Sequence, residues 1–163
     1  MGVPAFLMNV VPHIELLEEG KGFAKDWMFL LRALAVWLLI VCAESVHGVL
    51  RTMLLAPLVG DFHARQISVF TGSLLILTVA YLFVWWIRAG TTGALVAVGL
   101  FWLALTLLFE LGLGRIALGL SWERIASDYD IRRGGLLPLG LIVLALSPLI
   151  AAKVRGLKTN AKS

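Results

Sequence analysis

The sequence predicts an all-α integral membrane protein, a bundle of four transmembrane helices built from two tandem helical hairpins. Apolar residues make up 60% of the 163-residue chain, against a usual share of ~45–50%. Charged residues make up 15%, against about 25% in a soluble domain. A mean hydropathy of +0.95 excludes a disordered chain and is more than a globule of this size can bury. The apolar residues also gather into four runs, each close to the ~20 that cross ~30 Å of hydrocarbon as a helix.

The elements follow in chain order. Residues 1–26 form an N-terminal cytoplasmic or interfacial segment. Its apolar start lacks the leading positive charge and small-residue cleavage site of a secretory signal. Pro4 and Pro12 are expected to break it, with a short interfacial helix over 14–23. Phe6 stands where a myristoylation signal needs Ser or Thr. The first run, 27–43, is interrupted only by Arg32; the second and third, 67–87 and 93–109, carry no charge; the fourth is 136–152. Residues 27–88 make the first hairpin, 89–152 the second, and 153–163 a basic tail.

Lys and Arg near span ends set orientation. Four spans put both flanks on one side, which carries Lys21, Lys25, Arg32, Arg88, Lys153, Arg155, Lys158 and Lys162. The other side carries Arg51, Arg65, Arg115, Arg124, Arg132 and Arg133. Eight bases against six favour cytoplasmic termini in a cell inner membrane. Glu44, Asp61, Glu110, Glu123, Asp128 and Asp130 share the far side, as a matched charge network would. The net charge of +4 flanks the spans rather than covering a solvated face, so no nucleic-acid partner is expected. Cys42 has no cysteine to pair with and reads as a small apolar residue.

An internal repeat underlies the two hairpins. Asp61-Phe62-His63-Ala64-Arg65-Gln66 aligns with Asp128-Tyr129-Asp130-Ile131-Arg132-Arg133, and 74–77 then fall on 141–144 without a gap. After a one-residue shift, Glu44 falls on Glu110 and Gly48 on Gly114. Two-helix copies share one orientation, which puts a pseudo-twofold axis along the membrane normal. Glu44 and Glu110 are then expected on one side. They face each other if spans one and three are central partners.

The candidate ligand-binding or polar network consists of Glu44, His47, Arg51, Asp61, Arg65, Glu110, Arg115, Asp128 and Arg132. Glu44, His47 and Arg51 at i, i+3, i+7 share a helical face, and an ionisable side chain at membrane depth is costly enough to suggest function. The structural alternative is an ion pair of Glu44 with Arg51 or Arg115 that clamps the bundle. Glu44-x-x-His47 also has the spacing of a di-iron ligand element, so a metal there, completed by Asp61 and His63, or a haem on His47, is a lesser alternative. The second copy has Leu113 where such a site needs histidine. Asp61 with Arg65, and Asp128 with Arg132, fit helix first turns capped by Gly60 and Ser127. They fit equally two guanidinium groups converging on an anion. Motifs for hydrolase, zinc-protease or phosphate-loop chemistry are missing, and no cofactor is expected.

Three functions remain: a non-catalytic subunit or scaffold of a larger membrane complex, which is preferred; a small transporter or channel-like protein binding a polar or anionic solute between its halves; and a metal- or haem-binding redox protein using Glu44 and His47. The expected partners are the lipid bilayer and other membrane subunits, or a second copy of the chain.

Overall fold

The computed structural model describes residues 5–130 and 135–157, with side chains from residue 27 onward except those of 124, 127 and 128. The described chain is helical. In order come α1 (Ala5–Leu50), a π-helical turn (Arg51–Leu55), α2 (Ala56–Val59), α3 (Asp61–Ile87), α4 (Thr92–Gly112), a second π-helical turn (Leu113–Ala117), α5 (Trp122–Tyr129) and α6 (Leu137–Val154). Four stretches are long and apolar enough to cross a membrane: Trp27–Val59, Asp61–Ile87, Thr92–Ala117 and Leu137–Val154.

One expectation about α1 is corrected. The helix runs unbroken through Pro12 and through 14–23. One proline removes one backbone hydrogen bond, and the Leu, Glu and Lys after it are strong helix formers. The first span also continues well past residue 43. Its 33 residues measure about 50 Å at 1.5 Å per residue, longer than the hydrocarbon is thick.

Local chemistry explains the ends. Gly60 joins α2 to α3 at φ 80, a left-handed backbone that glycine adopts without a Cβ penalty. The α3–α4 turn is closed by Arg88 in the left-handed region and by Thr91, whose Oγ1 accepts from Ala94 N at 3.1 Å. Pro138 lies in the first turn of α6, where its missing N–H costs nothing. Pro148 lies inside that helix and cannot donate to the Leu144 carbonyl four residues back. The buried Ser147 hydroxyl donates to Leu144 O instead, at 2.8 Å.

Packing joins α1 to α3, α3 to α6, and α6 to α4, the α3–α6 seam being the most extensive. The α1–α4 side is thinner and is stitched by tryptophans. Trp102 Nε1 donates to Ala33 O at 2.8 Å, and Trp37 Nε1 donates to Thr106 Oγ1 at 2.9 Å. Both bonds span 69 residues, as two parallel helices in register require. The core these contacts enclose is apolar, with Val36, Ile40, Ala80, Val84, Val98, Trp102 and Leu144 at its centre.

The hairpins α1–α3 and α4–α6 therefore lie side by side, each span touching its counterpart in the other hairpin. A twofold along the bundle axis would set counterparts diagonally opposite, so the expected symmetry is not the packing. Spans two and four, rather than one and three, form the broadest contact. The proposed second copy of the Asp-aromatic turn also differs: α5 ends at Tyr129, so Ser127 and Asp128 close a helix instead of opening span four.

Candidate functional site

The polar groups at membrane depth converge where α1 crosses α3. Glu44 and His47, one turn apart on α1, share a face, and Glu44 Oε2 lies 3.4 Å from His47 Nδ1. The other imidazole nitrogen, Nε2, lies 2.8 Å from Thr71 Oγ1 on α3. Thr71 Oγ1 is within reach of Ile67 O at 3.2 Å. With the hydroxyl proton given to Ile67, Thr71 accepts from His47 Nε2–H.

Space for the carboxyl comes from Gly72. A Cβ there would lie 2.9 Å from Glu44 Oε2 and 3.1 Å from Oε1. The carboxyl thus rests against the α3 backbone. Glu44 Oε1 is buried and has no hydrogen-bond partner among the described residues, and the same holds for Ser68 Oγ, which is one turn before Gly72 on α3. Two unsatisfied polar atoms in one apolar seam are unusual, since each forgoes water without compensation.

The other expected site residues are dispersed. Among the described residues Glu44 pairs with His47, while Arg51 opens the π-helical turn beyond it. Asp61 and Arg65 pair within the first turns of α3, with Arg65 Nε donating to Asp61 Oδ2 at 2.9 Å and Nη2 reaching the same oxygen. Arg115 lies in the second π-helical turn, donates to Leu120 O at 3.1 Å and stacks 5.6 Å from the Trp122 ring centre. Glu110 sits in the last turn of α4, at the same end of the bundle as Glu44, whose carboxyl is turned to α3. The side chain of Asp128, and Arg132 altogether, lie outside the described residues. Among the described residues two of the expected members are in local pairs, Glu44 with His47 and Asp61 with Arg65, and Arg115 bonds a loop carbonyl, while Arg132, Arg133 and the side chains of Arg124 and Asp128 lie outside the described residues.

No three His, Cys, Asp or Glu side chains gather among the described residues. Asp61 and His63 are exposed at the start of α3, where His63 packs edge-on to Phe62. They do not complete a ligand set with Glu44 and His47.

Thr71 and Ser68 were absent from the expected site. They were legible as a pair of hydroxyls at i, i+3 beside a glycine in a run notable only for lacking charge. The two tryptophan bonds between α1 and α4 had no such signal, because an indole in an apolar run reads first as packing or as an interfacial anchor. Comparison with protein-family models, with curated proteins and with solved structures finds no match.

Proposed function

We propose that this chain is a non-catalytic subunit or scaffold of a larger membrane complex. The observation that carries the reading is the pair of buried, unsatisfied oxygens, Glu44 Oε1 and Ser68 Oγ, in the seam between α1 and α3. A carboxyl oxygen without a donor in an apolar medium costs several kcal/mol on the order of a lost hydrogen bond or more. The Glu44 side chain is still 32% exposed, so turning the carboxyl outward brings it to a donor from a neighbouring membrane subunit, or from a second copy of the chain, and removes that cost.

The alternative of a solute carrier is less well supported. It needs a polar cavity between the halves, whereas the space between them is filled by an apolar core. The two grooves that stand out are lined by α1 with α3 and by α4 with α6. The proposed orientation puts the termini in the cytoplasm of a cell inner membrane. It is supported by Arg32, Arg88, Lys153 and Arg155 at the end where span one begins and span four finishes, with no carboxylate among residues 27–36, 80–95 and 149–157.

The test is extraction from the native membrane in mild detergent, followed by the mass of the particle and the stoichiometry of its components. A stoichiometric partner is expected, and Glu44→Ala together with Ser68→Ala releases it without loss of helix content. A monodisperse single chain from native membrane, with neither partner nor second copy, would overturn the reading.

A further inference from the structure

Along α1 before Glu44, α1 and α3 leave a groove of about 450 Å³ between them. Ala35, Leu39 and Cys42 line its α1 wall, and Leu82, Phe83 and Trp86 line its α3 wall. Arg32 continues the α1 series one turn before Ala35, and its guanidinium stacks 5.7 Å from the Trp86 ring centre. A cation therefore stands at the mouth of an otherwise apolar groove.

Two features point to an occupant. From Ala35 to Cys42 the α1 wall runs seven residues, about 10 Å along the helix, so Arg32, one turn further out, sets a cation at the edge of the apolar lining. Within or next to the spans this end of the bundle carries Arg32, Arg88, Lys153 and Arg155, and the carboxylate nearest in sequence, Asp26, stands six residues before Arg32 on α1.

We propose that this groove binds one anionic phospholipid, its acyl chain between α1 and α3 and its phosphate at Arg32. Stacking on Trp86 uses the face of the guanidinium and leaves its in-plane N–H groups to bond phosphate oxygens. The headgroup meets the field of the neighbouring cations, and the acyl chain covers leucine and tryptophan side chains that otherwise contact bulk lipid. This site is independent of the partner interface at Glu44.

The experiment uses the full chain in mixed vesicles of phosphatidylglycerol and phosphatidylcholine in equal amounts, followed by mild delipidation and native mass spectrometry. One retained phosphatidylglycerol per chain is expected, in about tenfold preference to phosphatidylcholine. Arg32→Gln brings the ratio near one, and Ala35→Phe, which fills the groove, lowers retention of both lipids. Lys153→Gln, on the opposite hairpin, lowers the ratio by less than Arg32→Gln does, as a cation acting only through its field requires. Equal retention of the two lipids by the unaltered chain overturns the proposal whether or not any variant folds. So does a preference that survives both Arg32→Gln and Ala35→Phe, or a stoichiometric protein held in the groove in place of lipid.

Discussion

The two hairpins are close in composition and opposite in construction. In α4–α6 the backbones touch: Gly99 is buried, and the Ala145 carbonyl oxygen occupies the space where its Cβ would be. The only polar groups drawn into that seam are satisfied, Ser147 supplying the bond that Pro148 removes. In α1–α3 a glycine also sits at the crossing, but Gly72 makes room for a carboxyl group rather than a backbone. That seam keeps two oxygens unsatisfied and opens into a groove. Small residues thus serve two purposes in one membrane protein: sealing helices together, and holding a polar side chain between them. The partner and the lipid proposed above both fall on the open hairpin.

The largest expected effect breaks the sealed side. Gly99→Ala places a methyl group on the Ala145 carbonyl, and neither backbone can yield without parting α4 from α6. The cost is about 3 kcal/mol, the upper end for overpacking, read as lost resistance to thermal or denaturant unfolding in detergent. Gly72→Ala is the matched substitution on the open side. It meets only the far end of a flexible side chain, so less than about 1 kcal/mol is expected. Glu44→Ala should erase even that, because the two positions interact directly. Equal costs at Gly99 and Gly72 would mean that the seams do not differ.

Next in size is Ser147→Ala. It leaves Leu144 O without a donor in the core, for about 1–3 kcal/mol. The double variant with Pro148→Ala restores a backbone N–H to that carbonyl and recovers most of the loss. Additive effects of the two substitutions would contradict the compensation described for α6.

These contrasts also mark how far the sequence could be read. Four apolar helices, and the placement of Glu44 and His47 on one face, follow from run length and 3.6-residue periodicity, because both are local properties. The i,i+4 pairing of Asp61 with Arg65 was legible for the same reason. The repeat was read from shared charge patterns, yet its packing consequence failed. Which spans become neighbours depends on close approaches such as Gly99 against Ala145 and on indole bonds such as Trp102 to Ala33, and neither leaves a periodic trace. The far end of α1 stayed open, because an apolar run records where charge is absent, not where a helix stops. Smaller than either seam effect is the loss of one such indole bond. Thr106→Val should cost about 0.6 kcal/mol, the average for a hydrogen bond between membrane helices, with helix content unchanged.

The smallest expected effect lies outside both seams, on α5, the short helix after span three. The Glu123 carboxylate accepts from its own backbone N–H and from the Ser121 hydroxyl, which together hold it below the ordinary 4.5. Because the folded value is the lower one, the stabilisation is fully present above the unfolded value and fades as pH falls through the folded one. The group is fully exposed, so only the first turn of α5 should respond. Hydrogen-exchange protection of those amides is expected to fall between about pH 6 and about pH 3 in the unaltered chain. Glu123→Gln should show lower protection at the higher pH and little further change on acidification. The seam amides of α4 and α6 should show no corresponding change, since their protection derives from backbone contact and not from a titrating side chain. A parallel loss there would mean that the end of the second hairpin is coupled to its seam and that the sealed side is less rigid than its glycine contact implies.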